Sequence, residues 1–509
     1  MCFGRLFLRL KTMKPTLEQF KKHSKTHNVI PVYAELLADT ETPVLAFSKI
    51  AERDDAFLLE SAESASEYGR YSFIGFEPKA VFTVGEDRSE LKFKDGRKFV
   101  SENKSALLDP LKNYLKTRSA AELEGLPNFF GGAVGYMSYE VVNLFERLPA
   151  PKNKTPFGFA RLGIFDELAI FDNVRHTIKI VVCAHADEFE SGEKAYEYAC
   201  SRIESLVKIL KESPAKIPAC QNSKPIRLVS NMAKDDYLDM VEKAKEYIRQ
   251  GEIIQVVLSQ EFSSDAPVDA ISAYRALRFI NPSPYMFCFK SGGNALVGSS
   301  PETLVRFANG RVFTSPIAGT RRRGKNEAED IALADELLSD EKERAEHLML
   351  VDLGRNDISR VCESGSVQVN EFMSIRRYSH VMHLVSHVEG AAKKGVDAFD
   401  VLAATFPAGT LSGAPKVRAM QIINELEPSA RGAYGGCVGY IGYNSQMDMA
   451  ITIRTLQITG GRLAVRAGGG IVYDSVAEAE YEETRSKSRA VARAIEAASR
   501  LTLDVELFS

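Results

Sequence analysis

The sequence predicts an α+β fold with large, mostly antiparallel sheets. Three observations lead there. Between residues 57 and 184 the chain holds short β-rich runs separated by polar turns. Residues 168–184, LAIFDNVRHTIKIVVCA, are two apolar runs around Asp172-Asn173, a hairpin signature. Two strongly periodic amphipathic helices, at 233–253 and from about 476 to 500, then bracket a mixed run of strands and helices.

Taken in order, residues 13–28 read as one short helix carrying Leu17 and Phe20. FLLES (57–61), YSFIGF (71–76) and AVFTV (80–84) read as strands, and GGAVGYMSYEVV (131–142) as a strand with a tight bend or close backbone approach. Residues 191–212 read as a helix. The polar segment 211–227 contains three prolines and marks a domain boundary. After it, Tyr237, Met240, Val241, Ala244 and Ile248 give 233–253 its apolar face, and 252–262 reads as a strand. The organisation expected is an extension over 1–12, a first region over 13–220 and a second over 225–509. No 20–50-residue repeat is visible.

Composition narrows the function. The 509 residues are 45% hydrophobic and 26% charged, an ordinary globular balance, and the formal net charge of -3 gives no argument for nucleic acid. No apolar run approaches the roughly 20 residues of a membrane helix. The seven cysteines are scattered without a C-x-x-C pair, which argues for a reducing, cytoplasmic setting and against a thiolate zinc site. The first twelve residues are basic and apolar but too short for a secretory signal.

Candidate chemistry concentrates in the second region. Glu343 and Glu346 stand three apart in the helical stretch DEKERAEHLMLVDLGRND (340–357), and Glu480 and Glu483 repeat that spacing near the C-terminus. Either pair alone is ordinarily a solvated face. Two such pairs facing each other would cage Mg²⁺ in hard oxygens. In the last helix Ser475 and Glu478 form a capping box. Ala477, Tyr481, Thr484, Ser488, Val491 and Ile495 form the buried stripe, and Glu480, Glu483 and Lys487 run beside it at the edge of the core. Gly468, Gly469 and Gly470 would let backbone N–H groups reach an anion, or simply mark a bulge. SPIAGTRRRG (315–324) and FPAGTLSGAPK (406–416) are Gly/Thr-rich loops, and the second lacks the Gly-Lys-Ser/Thr of a nucleotide P-loop. His380, His383 and His387 lie on a strand where 380 points away from the other two, so one pocket-facing acid or base is more economical than a zinc site. Glu302, Gln255, Tyr434 and Arg454 are polar groups in apolar or glycine-rich strands and need partners.

Together, SPETL, SPIAGTRRRG, AEHLMLVDLGRND, YSHVMHLVS, FPAGTLSGAPK, GAYGGCVGY, IRT, AGGGIV and EYEET-x-x-K closely resemble the chorismate-utilising enzymes over 225–500. FLLESAE (57–63) and GRYSFIG (69–75) resemble the companion region of the anthranilate synthases within that family. The fold this implies is a sandwich of large antiparallel sheets flanked by helices. Isochorismate and salicylate synthases of the family carry a water-activating lysine where this chain has Gln255. Aminodeoxychorismate synthases commonly carry a nucleophilic lysine where it has Ala318, which cannot form a covalent adduct. The activity implied is therefore amination of chorismate by ammonia to give anthranilate and pyruvate, with aminodeoxychorismate synthesis as the alternative. A catalytically dead tryptophan sensor is a third possibility that the intact motif set opposes.

The resemblance implies roles. Glu346 and Glu483, with Glu343 and Glu480 around them, would hold Mg²⁺ against the ring carboxylate, Glu346 more directly than Glu343. Gly468, Gly469, Gly470, Tyr434 and Arg454 would hold the other carboxylate, Gly319 and Thr320 would line the site, and Lys487 would balance charge. Glu302 would protonate the departing hydroxyl, His383 would assist loss of pyruvate, and Thr410 would position the ring. Glu60, Ser61, Asn281, Pro284, Tyr285 and Met286 would surround L-tryptophan as feedback inhibitor. No cysteine has a glutaminase context, so a separate glutamine amidotransferase subunit, in a heterotetramer, is the implied ammonia source.

Overall fold

The computed structural model describes residues 13–50, 52–62, 69–153, 155, 157–216, 227–266, 268–378 and 381–500. Two twelve-stranded sheets form the body, and all pairing between their strands is antiparallel. The expected fold class is the one observed. The first sheet runs Val29–Leu37, Thr177–His185, Glu167–Asp172, Tyr71–Phe76, Ala56–Glu60, Tyr285–Ser291, Asn294–Ser300, Thr455–Thr459, Arg462–Ile471, Gln255–Ser264 and Val229–Ser230, with Gly413–Ala414 also on Gln255–Ser264. The second runs Ile317–Arg322, Val381–Ala391, Arg311–Thr314, Thr303–Ala308, Met447–Ile451, Cys437–Gly442, Gly132–Met137, Ala160–Phe165, Ala80–Val84, Ser89–Phe93 and Lys98–Ser101, with Gln368–Arg377 also on Val381–Ala391.

Alternation along the strands sorts side chains into layers. Phe57, Phe287 and Phe289 enter a core between the sheets with Phe82, Val134 and Val305, while Leu58, Met286 and Cys288 enter a second core under the outer helices. Those helices are Gly192–Glu212, Ala270–Ile280 and the N-terminal Leu17–His23. A third core gathers Lys234–Arg249, Lys416–Leu426 and the start of Ala477–Arg500.

Both sheets cross the expected boundary. Glu60 pairs with Met286 in the first sheet, and Gly135 pairs with Gly439 in the second. Strands from either side of 211–227 are thus hydrogen-bonded neighbours twice over; within that segment, 217–226 lie outside the described residues.

Several local expectations change. The first helix is Leu17–His23, shorter than 13–28, because Lys14 bonds Tyr33 at both its N–H and its carbonyl and a Thr16–Gln19 capping box starts the helix afterwards. Residues 139–144 leave the strand for a 3₁₀ turn. SPIAGTRRRG is not a loop but contains the strand Ile317–Arg322, bulged between Ala318 and Thr320. Ser475 does not cap with Glu478; its hydroxyl accepts from Val472 N–H and donates to Glu480. The last helix keeps its stripe at Thr484, Ser488 and Val491, and the Ile495 side chain lies outside the described set. The five cysteines among the described residues are unpaired, and no described helix is long and apolar enough to cross a membrane.

Residues 13–216 expressed alone would carry two unpaired strand edges, Ala56–Glu60 and Gly132–Met137. We expect that fragment to aggregate in size-exclusion chromatography while the whole chain elutes as a folded species. A soluble fragment with a cooperative melt would show that the halves fold independently.

Candidate active site and a second cavity

The site forms where the chain passes between the sheets. Glu302 lies between Asn294–Ser300 of the first sheet and Thr303–Ala308 of the second; Arg454 lies between Met447–Ile451 of the second and Thr455–Thr459 of the first. Glu302 is anchored through its backbone, with its N–H on Ser300 Oγ at 3.3 Å and its carbonyl accepting from Ile451 N–H at 3.0 Å. Burial raises its carboxyl to about 8, with the Thr410 hydroxyl, Arg454 and Lys487 pulling the other way. Thr410 lies beside that carboxyl, yet its buried Oγ1 makes no hydrogen bond of good geometry. Arg454 has a left-handed backbone at φ 49, strain of the kind held at functional sites. Among the described residues its guanidinium makes no hydrogen bond or ion pair.

His383 is buried, and its Nδ1 lies 2.9 Å from the Gly319 carbonyl and 3.0 Å from Thr320 Oγ1. The carbonyl can only accept, so Nδ1 carries the proton and Nε2 keeps its lone pair. Burial and Arg454 hold the ring below its usual range, against the pull of the Gly319 carbonyl. Arg454 therefore acts electrostatically on both Glu302 and His383. Gly319 must be glycine: its φ is +62, and a Cβ would stand 2.9 Å from Leu337 and 3.1 Å from Glu343 Oε2. His387 instead bonds Ser315, and His380 lies outside the described residues.

Gly468, Gly469 and Gly470 lie in a regular strand rather than a loop. One edge pairs with Val257–Ser259; the strand on the other side pairs only as far as Val465, leaving that edge of the glycines without a strand partner. Each glycine also admits a polar group: a Cβ would meet the Tyr434 hydroxyl at 2.6 Å from 468, Glu480 Oε2 at 2.9 Å from 469, and Gln255 Nε2 at 2.6 Å from 470. Tyr434 is itself buried and pushed up to about 12 by that burial.

The acidic pairs do not close into a cage. Among the described residues no group of three carboxylate, histidine or cysteine side chains stands ready-made for a metal. Glu343 accepts from Arg321 at 3.3 Å, and Glu483 pairs with Lys487 at 2.7 Å, while Lys487 also donates to the Gly468 carbonyl at 3.0 Å. Glu483 and Lys487 were expected at the core edge but stand exposed. Glu346 and Glu480 are the uncompensated members. Burial first, then Glu343 and Glu483, raise Glu346; burial first raises Glu480, with Glu483 adding to it. Glu480 Oε2 is buried without a partner. Hard oxygens that repel one another across a cleft fit a divalent cation, with Glu346 and Glu480 foremost.

A network absent from the sequence reading supports the floor. Glu427, nearly inaccessible, accepts from Ser259 N–H and Oγ at 2.8 Å each, from Arg431 at 2.6 Å and from Arg466 at 3.2 Å. Arg431 also donates to the Leu411 and Val257 carbonyls at 2.6 Å. This ties the Thr410 turn to both strands beneath the glycines. Ion-pairing residues scattered over 259–466 give no spacing signal.

The second cavity, about 360 Å³, lies between the sheets. Glu60, Ser61, Pro284, Tyr285 and Met286 line it as expected. Asn281 is not among its lining residues; its amide bonds Ser299 at 3.2 Å. Sequence reasoning missed the stacked rings of Phe129 and Tyr440, 4.2 Å apart, and the half-buried Asp448, whose carboxyl is raised to about 6 by desolvation and accepts from Tyr285 at 3.0 Å.

A buried acid, a buried histidine held below its usual range, a glycine-edged strand and an acidic rim are groups of the kind an enzyme uses for acid–base work on an anion. The chain belongs to the chorismate binding enzyme family, whose sequence pattern matches residues 54–493. It is 49% identical over 489 residues to anthranilate synthase component 1 of Aquifex aeolicus, covering 95% of this chain and 98% of that protein. It is 44% identical over 494 residues to the protein of that name from Acetivibrio thermocellus, covering 96% and 99%. The crystal structure of anthranilate synthase component I from Streptococcus pneumoniae superposes with a TM-score of 0.72 at 36% identity, covering 84% of this chain and 93% of that one. The menaquinone-specific isochorismate synthase of Escherichia coli shares the fold at 19% identity and a TM-score of 0.70, covering 94% and 98%.

Glu302 is protonated in the folded chain up to about pH 8, against 4.5 in the ordinary state. Its contribution to stability is complete below 4.5 and is lost as pH rises towards 8, because unfolding then releases a proton. Glu302→Gln cannot ionise, so its denaturation midpoint should gain on the wild type across that window and level off above it. Parallel curves from pH 4 to 9 would contradict the burial of this carboxyl.

Proposed function

We propose that the chain aminates chorismate with ammonia to give anthranilate, pyruvate and water. What carries the reading is a buried acid, Glu302, and a buried histidine, His383, both within the electrostatic reach of Arg454, in a chain that aligns nearly end to end with proteins named anthranilate synthase component 1. Arg454 and Tyr434, with free N–H groups of Gly468–Gly470, bind one substrate carboxylate. Glu302, held protonated, donates to the departing hydroxyl as ammonia adds to the ring. His383 Nε2, unprotonated, takes the ring proton as the enolpyruvyl group leaves and the ring becomes aromatic. Thr410 holds the ring against Glu302. When bound at Glu346 and Glu480, with Glu343 and Glu483 beside them, Mg²⁺ would orient the ring carboxylate and neutralise its charge. Ala318, opposite Leu384 at the bulge, offers only a methyl, so no covalent adduct can form there, and this disfavours aminodeoxychorismate synthesis.

L-tryptophan is the inhibitor we assign to the 360 Å³ cavity. Its ammonium would meet Glu60 and its indole the Phe129–Tyr440 face. The word "component" in the relatives' names supports a separate glutamine amidotransferase partner, in a heterotetramer, and the reaction suits the cytoplasm.

Purified chain given chorismate, Mg²⁺ and ammonium at high pH should form fluorescent anthranilate and release pyruvate, and EDTA should stop it. Glu302→Gln should lower kcat by roughly 10²–10⁴-fold. Glu346→Gln should raise the Mg²⁺ requirement more than Glu343→Gln, whose carboxylate is engaged by Arg321. Product that keeps its enolpyruvyl group would refute the reading.

Tryptophan titrations test the second cavity. Ser61→Phe and Met286→Thr should both retain activity and lose inhibition; unchanged inhibition in both would place the regulatory site elsewhere.

A further inference from the structure

Beside Glu302 lies a chamber of about 30 Å³. Its polar lining is Glu302, Thr303, Thr314, Asp357, Thr405 and Thr410, and the helix Glu341–Ser359 supplies apolar wall. A water molecule needs about 10–15 Å³ of such space and two or more polar partners, so the chamber takes about two. The unpartnered Thr410 Oγ1 is one waiting partner. At the far end Asp357 accepts from Lys416 at 2.6 Å, and these side chains retain 10% and 15% of their accessibility, an outlet to solvent. Lys416 and Arg360 are the cations facing Asp357; Thr410, Arg454 and Lys487 are the groups acting on Glu302.

The reaction leaves Glu302 as a carboxylate in surroundings that oppose its charge, with substrate and product in front of it. We propose that Asp357 is the outer station of a proton relay that resets Glu302 through this chamber, a role that rests on Glu302 being the catalytic acid. When the ring C–O bond breaks, the Glu302 proton departs with the leaving water. A chamber water then gives a proton to Glu302 and takes one through the Asp357 carboxylate, which passes it on as it accepts another from its Lys416 side, each O–H bond forming as the next breaks. Bulk water or the Lys416 ammonium supplies that proton, so one proton enters from solvent for each one lost with the hydroxyl. No electrons change hands.

The full chain is assayed with chorismate, Mg²⁺ and ammonium, in H₂O and D₂O. Asp357→Asn should lower kcat about tenfold or more, leave KM for chorismate unchanged and enlarge the solvent isotope effect. In Asp357→Ala, formate should restore rate in a concentration-dependent way, which a merely structural role would not allow. Gly354→Ala narrows the chamber without removing a titratable group: its Cβ would stand 3.2 Å from Thr314 Cγ2 and 3.4 Å from Pro316 Cγ, and it should slow turnover in the same sense. If Asp357→Asn melts early, the Gly354→Ala rate and isotope effect decide. Wild-type kcat in Gly354→Ala, or a loss in folded Asp357→Ala that formate never restores, would overturn the relay and point to reset from the newly added amine. A wild-type chain that aminates nothing would instead count against the function itself.

Discussion

The Glu427 carboxylate, gripped by Arg431 and Arg466, is the constraint on which the catalytic floor depends. Two arginines and one glutamate are withdrawn from water here, and the arrangement is tolerable only because nearly every donor finds an acceptor. Donors and acceptors of this network belong to three pieces of chain that must stay in register: the turn at Leu411, whose carbonyl accepts from Arg431; the strand in which the Val257 carbonyl accepts from Arg431 and the Ser259 N–H donates to Glu427; and the strand just before the glycines carrying Arg466, whose guanidinium donates to Glu427. Removing one partner would strand a buried charge, which typically costs 3–5 kcal/mol. The network holds geometry more than it adds stability.

Above that floor the site separates two titratable groups by environment. The same apolar enclosure raises Glu302 and lowers His383, so one is an acid and the other a base at the same pH. Arg454 pushes both in those functional directions only in part: it favours the Glu302 carboxylate yet opposes a histidine cation. Burial therefore outweighs the guanidinium at Glu302 and acts with it at His383. The acidic rim works by the opposite logic. Glu483 raises both Glu346 and Glu480, after burial, a repulsion that a hard cation would relieve.

Much of this was legible in the sequence. Period-two runs such as YSFIGF and the hairpin at Asp172-Asn173 report burial on alternate faces, and they fall where strands are found. Of the residues expected around the substrate, Glu302 and Arg454 stand at the two crossings between sheets. What stayed hidden is relational. Nothing in the chain announces that Phe129 stacks on Tyr440, that Arg454 has a left-handed backbone, or that Glu427 serves residues on both sides of it. The loop reading of SPIAGTRRRG failed because a single bulge let a Gly-Thr segment remain in a sheet. The core-edge reading of Glu483 and Lys487 failed because periodicity fixes a helix face but not what stands opposite.

The shared sheets also set a timetable for synthesis. Ala56–Glu60 leaves the ribosome roughly 230 residues before Tyr285–Ser291, the strand that flanks it. At about 5–20 residues per second, that edge waits on the order of ten to fifty seconds. Gly132–Met137 waits longer still for Cys437–Gly442. The nascent chain must keep two apolar strand edges apart throughout that interval, so its yield in a cell depends on chaperones at the ribosome as much as on the stability of the finished molecule.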